Sequence, residues 1–102
     1  VDIDRNTFNI EIKEIEKAIT KKTKAIIFID YGGNPSRIAE ILKLGKKYKI
    51  PIIQDGAQSL GAKYKGKNIG ANGDVSTMSF HMAKIITTIE GGMVFTNKKK
   101  NI

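Results

Sequence analysis

A chain of 102 residues, 40% of them hydrophobic, builds one domain at most, so a sheet with a few covering helices is the ceiling. It has no cysteine and a single histidine, His81, which excludes disulfides, thiolate metal ligation and a zinc site made from histidine and cysteine. A formal charge of +8 raises the question of nucleic acid, but the lysines sit in short scattered clusters, with two arginines and no aromatic series for stacking bases; solvated faces are the expected role.

The longest apolar run, Ala25 to Ile29, is far shorter than the roughly twenty residues of a membrane helix, and no signal sequence is expected. In order, Val1 to Ile3 is β-like, and the turn-rich residues after it lead to Asn9, which predicts an N-cap for a helix over residues 10–19. Ile12, Ile15 and Ile19 share one face of that helix, with charged residues around the rest. Lys24 to Ile29 reads as a strand covered on both faces. Asn34 followed by Pro35 predicts a second capped helix reaching Tyr48, with Ile38, Ile41, Leu42 and Gly45 on its buried side.

Pro51 opens the next strand, and Asp55 stands just beyond its carboxyl end. In open α/β sheets ligands gather at that edge, so an acid there has a positional reason to be functional; the alternative is a loop aspartate capping a turn. Residues 62–70 read as a small hairpin turning at Lys65 and Gly66, Val75 to Phe80 as a strand and Met93 to Asn97 as the last one. The pattern is β-α-β-α-β followed by two more strands, an α/β fold with a mainly parallel sheet and covering helices.

Two residues stand out for their chemistry. Asp55 closes an apolar strand, and Lys84 follows 29 positions later, just past another. Pyridoxal phosphate needs such a pair, because its aldehyde takes an amine and its ring nitrogen needs an anion to stay protonated. With sixteen lysines and ten acids in the chain, spacing alone selects nothing, and Lys84 by itself reads as a surface lysine. The run DGAQSLGAKYKGKNIGANGDVSTMSFHMAKIITTIEGGMVFTN, from Asp55 to Asn97, carries the weight. It closely resembles the central block of the DegT/DnrJ/EryC1/StrS family, the sugar aminotransferases of the aspartate aminotransferase fold (fold type I). The likeness continues upstream through VDIDRNTFNI and TKKTKAIIFIDYGGNP, and so covers essentially the whole chain.

The resemblance implies pyridoxal 5'-phosphate as cofactor. Lys84, five positions after Ser79 in the family's SF(H/x)xxK pattern, resembles its Schiff-base lysine, whose freed amine carries the proton shift of transamination. Asp55 resembles the pyridine-nitrogen aspartate of the family's DAAQ or DAAH block, written here DGAQ. Gln58 then matches the residue that hydrogen-bonds the ring hydroxyl, and Ala57 lies between them near the ring. Ser79 matches the serine that donates to the cofactor phosphate; taken alone it reads equally as a strand serine satisfied by backbone. Gly56 replaces the usual alanine, and the missing methyl is expected to loosen the ring's support. Gln54 stands where the family often has glutamate. Phe80 and His81 are expected to pack, and the GlyGly pair at 91 and 92 to give a turn its backbone freedom.

Family members are several times longer, so the resemblance implies a fragment of the pyridoxal-phosphate-binding large domain that lacks an N-terminal segment and a C-terminal small domain, and is inactive alone. The parent is expected to be cytoplasmic and to transfer an amino group, typically from glutamate, to a keto group of a nucleotide-linked sugar. It is expected to be a homodimer whose sites are completed by the partner subunit, with no metal and no membrane. Two alternatives stand beside it. One is a sugar dehydratase relative, in which histidine replaces the lysine, against which Lys84 argues. The other is a catalytically silent α/β module that binds a partner, nucleic acid included, through its positive charge.

Overall fold

The computed structural model describes residues 1–96, so Asn97 of the expected last strand and the lysines at 98–100 lie outside the described residues. In chain order the elements are α1 (Ile12–Ala18), β1 (Ile26–Ile29), a one-turn 3-10 segment (Tyr31–Gly33), α2 (Ile38–Tyr48), β2 (Ile52–Asp55), β3 (Lys63–Tyr64), β4 (Lys67–Asn68), β5 (Val75–Ser79) and β6 (Gly92–Thr96). The main sheet runs β1-β2-β5-β6. The first three strands are parallel and β6 is antiparallel to β5, the arrangement implied by the resemblance to fold type I. β3 and β4 form the expected hairpin, with Lys65 and Gly66 both at positive φ, the backbone a two-residue turn of this hand requires.

Several local expectations are corrected. Val1 to Ile3 forms no strand; Ile3 makes one isolated antiparallel bridge to Ile10. Helix α1 is capped by Glu11, whose side chain accepts from the Lys13 amide, and not by Asn9. Asn9 is buried and committed elsewhere: its Nδ2 donates to the Asn34 carbonyl and its Oδ1 accepts from the Tyr31 amide, each at 2.9 Å. Nor does Asn34 cap α2. Pro35 holds Asn34 in extended backbone (φ -75°, ψ 118°), and the helix begins four residues later, with Arg37 at its N-cap.

The core lies on one face of the sheet. Ile26 and Phe28 of β1 and Ile52 of β2 meet Ile15 of α1 and Ile38, Ile41 and Leu44 of α2, joined by Ile50 and Ile69. Leu44, rather than the half-buried Leu42, completes the buried stripe of α2. The two helices also meet at the surface, where the Glu16 carboxyl accepts from Lys47 Nζ at 2.6 Å and from Tyr48 Oη at 2.9 Å. The Lys47 bond first, then the Tyr48 bond, hold the Glu16 carboxyl below the ordinary glutamate value. The strand expected to be covered on both faces is covered on one: Ile27, between Ile26 and Phe28, is 63% exposed. Side chains alternate along a strand, and the buried residues of both helices join Ile26, Phe28 and Ile52 in one cluster.

Gly45 marks where α2 and β2 come closest. A Cβ there would lie 2.6 Å from Ile52 Cγ1 and 3.0 Å from the Ile50 carbonyl oxygen. Alanine in place of a helix-interior glycine gains about 1 kcal/mol where space allows, but overpacking a filled core costs about 1–3 kcal/mol. Ile52 is 1% exposed and has nowhere to move, so the second effect wins. Gly45→Ala in the full-length protein is expected to lower the urea midpoint of unfolding at unchanged slope; a midpoint that stays or rises would show that Ile52 yields.

Candidate cofactor site

The site is built by the pleat of the sheet at the carboxyl ends of its parallel strands. Asp55 is the last residue of β2 rather than a residue beyond it, and stands in register with Ile29 of β1 and Thr77 of β5. Residues paired across strands share a face, and Ser79, two positions after Thr77, returns to it. Asp55, Thr77 and Ser79 therefore line the face turned away from the helical core. Gln54, one position earlier, faces the opposite way and is fully buried.

Asp55 Oδ1 accepts from the Ala57 amide at 2.9 Å, so this carboxyl does cap a turn, but with one oxygen only. Its other oxygen accepts no hydrogen bond from the described residues. The turn is pinned to β5 by the Gly56 amide, which donates to the Thr77 carbonyl at 2.8 Å, and it leaves Ala57 half-buried. Gln58 Oε1 accepts from the Gly32 amide at 2.6 Å. With its oxygen taken, Gln58 presents its amino group, which donates to none of the described residues.

Ser79 Oγ accepts from the His81 amide at 3.3 Å and keeps its own proton to give. Lys84 is half-buried in the loop that follows, its amide donating to the His81 carbonyl at 2.9 Å. That loop closes on itself where Phe80 donates to Gly91 and accepts from Thr88. The Lys84 ammonium makes no ion pair or hydrogen bond among the described residues. His81 has a local role beyond packing, since Nδ1 accepts from the Ala83 amide at 3.3 Å and Nε2 lies 3.6 Å from Glu90 Oε1. The predicted residues thus stand at the carboxyl ends of two adjacent parallel strands and in the segments that follow: Asp55 ends β2 with Ala57 and Gln58 just after it, Ser79 ends β5, and Lys84 comes five residues on.

Sequence reasoning missed the buried layer beneath them. Asp30, directly after β1, is fully buried; its Oδ1 accepts from the Ser36 amide at 2.8 Å and its Oδ2 from Gln54 Nε2 at 2.6 Å and Ser59 Oγ at 3.4 Å. Gln54 Oε1 in turn accepts from the Asn72 amide at 2.7 Å. This explains glutamine at position 54, since a glutamate would set two buried carboxyls 2.6 Å apart. Asn72 leaves its own Nδ2 buried without a partner among the described residues, a cost carried inside the same layer. One signal was present: IFID and IIQD are two apolar strands each ending in aspartate, and they lie side by side.

A model of the DegT/DnrJ/EryC1/StrS aminotransferase family matches residues 1–101. The chain belongs to that family. It is 46% identical over 99 residues to GDP-perosamine synthase of Escherichia coli O157:H7, covering 97% of this chain and 27% of that protein. Among solved structures it resembles an aminotransferase from Psychrobacter cryohalolentis at 41% identity and a TM-score of 0.90, covering 95% of this chain and 25% of the other. It also resembles the Escherichia coli GDP-4-keto-6-deoxy-D-mannose-3-dehydratase with bound hydrated PLP, at 38% identity and a TM-score of 0.85, with 96% and 25% covered. The chain thus spans about a quarter of the length of the proteins it matches. Its mainly parallel sheet with covering helices is that of the PLP-dependent aminotransferases of fold type I.

In the family's terms Gly56 is the departure, and the structure changes its meaning. No void awaits a methyl: a Cβ on Gly56 would lie 2.8 Å from the Thr77 carbonyl oxygen and 3.0 Å from Gly70 Cα. Gly70 has φ +93°, a conformation that glycine adopts without strain, and Gly56 is buried. Both neighbours are backbone, so alanine must push β2 from β5 at the carboxylate. Gly56→Ala is expected to cost about 1–3 kcal/mol in denaturant unfolding of the full-length protein; a variant as stable as the parent would show that the residue-70 loop moves freely.

Proposed function

We propose that the protein carrying this chain is a pyridoxal-phosphate-dependent aminotransferase that moves an amino group, from glutamate, to a keto group of a nucleotide-linked sugar. One observation supports the reading: a carboxyl with an open oxygen and an amide with its oxygen committed and its amino group open stand at the end of β2, while a serine hydroxyl ends the adjacent parallel β5, five residues before a lysine without an ion pair among the described residues. These groups fit pyridoxal phosphate, whose ring nitrogen, ring oxygen, phosphate and aldehyde call for an anion, a donor, a donor and an amine in turn. When bound, the cofactor supplies an aldehyde that holds the transferred nitrogen and a ring that takes up the electron pair released at the neighbouring carbon.

The residues do the rest. The open oxygen of Asp55 would hold the proton on the ring nitrogen, while the Ala57 amide fixes the other oxygen. The Gln58 amino group would donate to the ring oxygen, Ala57 would face the ring, and Ser79 Oγ–H would donate to the phosphate. Lys84 Nζ is the amine that would hold the cofactor's aldehyde and, when free, would take and return the proton at the reacting carbon. The lysine favours amino transfer over the dehydration performed by the Escherichia coli relative. Likeness to GDP-perosamine synthase and to that GDP-sugar dehydratase supports a nucleotide-linked sugar as acceptor. By the same family likeness we propose a homodimer in which the partner subunit completes each site.

Borohydride reduction of the full-length protein after addition of pyridoxal phosphate, followed by peptide mapping, is expected to place the phosphopyridoxyl group on Lys84 ahead of the other fifteen lysines of the chain. Lys84→Ala is expected to lose about 100- to 10,000-fold or more in amino transfer. Unselective labelling, or an unimpaired variant, overturns the assignment.

A further inference from the structure

We infer that Asp30 is a positioning residue for Gln58, acting through the Tyr31–Gly33 turn to fix which end of the Gln58 amide meets the cofactor. The inference rests on the cofactor reading above. Asp30 grips the segment that follows it at two points, since its carboxyl accepts from the Ser36 amide and its carbonyl from the Gly33 amide at 3.1 Å. The other amides of residues 31–36 have partners too. Tyr31 donates to Asn9 Oδ1, Gly32 to Gln58 Oε1 and Asn34 to the Tyr31 carbonyl.

The same carboxyl reaches the other side of the contact through Ser59, the residue after Gln58. The turn is also pressed against Gln58 itself: Gly33 has φ +77°, and a Cβ there would lie 2.9 Å from the Gln58 carbonyl oxygen. Asp30 therefore ties together the turn that offers the Gly32 amide and the segment that bears Gln58. The Gln58 oxygen has one strong donor to face, and its amino group is left for the ring oxygen. A donor there favours the deprotonated ring oxygen, so Asp30 has a spectroscopic consequence although it is buried behind the site.

Asp30→Asn tests this. Its new amino group meets Gln54 Nε2, donor against donor, at a contact now 2.6 Å long. Gln54 cannot reverse without facing the Asn72 amide with its own donor. The double variant Asp30→Asn/Gln54→Glu restores an acceptor opposite a donor at both contacts. In the full-length protein, Asp30→Asn is expected to speed amide exchange in residues 31–36, to weaken pyridoxal phosphate binding by about tenfold, and to move the pH midpoint of the bound cofactor's absorbance upward. The double variant is expected to recover all three. If Asp30→Asn does not fold, Ser59→Ala removes a single bond of the network and is expected to move the same absorbance midpoint.

Exchange and absorbance that both match the parent overturn the inference, as does faster exchange with an unmoved midpoint, which makes Asp30 a merely structural residue. A parent protein that takes up no pyridoxal phosphate overturns the cofactor reading itself, a result distinct from a binding parent with an indifferent variant.

Discussion

Gln54 and Asp55 are neighbours in sequence that face opposite sides of a sheet, and this alternation divides the structure into a supporting layer and a working one. Gln54 meets Asp30 in the interior, while Asp55 shares a face with Thr77 and Ser79. A slip of one residue in the pairing of β2 would exchange the two, burying the carboxyl against that of Asp30 and exposing an amide at the strand end. The register Ile52 with Ile26 on one side and Ile53 with Val75 on the other prevents it, because Ile52 is the apolar contact that Gly45 of α2 packs against. The hydrophobic core and the placement of the candidate carboxylate are thus one constraint seen from two faces.

The working face is open in the described residues. Ile27 and, across the sheet on β6, Val94 are largely exposed, as are Met82, Ile85 and Ile89 in the loop around Lys84. So much apolar surface beside a cluster of polar side chains is costly in water and is what a face made to be covered looks like. The proteins this chain matches are about four times as long. On the other face Ile26, Phe28 and Ile52 of β1 and β2 pack against the two helices. The packed core and the candidate residues are separated across the thickness of one sheet.

The candidate residues were legible in the sequence because they sit in a contiguous string of familiar words, DGAQ to SFHMAK, and the strands were legible as apolar runs. What stayed hidden were polar contacts between distant segments. Asn9 and Asn34 have the form of N-caps, and a local rule assigns them so; in the fold Asn9 spends both ends of its amide on residues 22 and 25 positions away, and Pro35 keeps Asn34 extended. Asp30 went unnoticed for the same reason. Its partners are Ser36, Gln54 and Ser59, and only the pairing of β1 with β2 brings the last two to it. The antiparallel β6 was available from the family likeness and not from periodicity, since alternation is the same in either direction.

Two amides in this structure owe their orientation to groups that cannot reverse. A carboxyl without a proton only accepts, and a backbone amide only donates. Asp30 therefore forces Gln54 to donate toward it, which leaves Gln54 Oε1 for the Asn72 amide; Gly32 likewise forces Gln58 to accept, which leaves its amino group for a ligand. An amide's oxygen and nitrogen are alike in size, so packing does not choose between them. The choice is made by hydrogen-bond direction, passed from a buried carboxyl to Gln54 and from a glycine turn to the side chain proposed to meet the cofactor. Shape at this edge comes from the sheet, whereas polarity comes from the layer behind it.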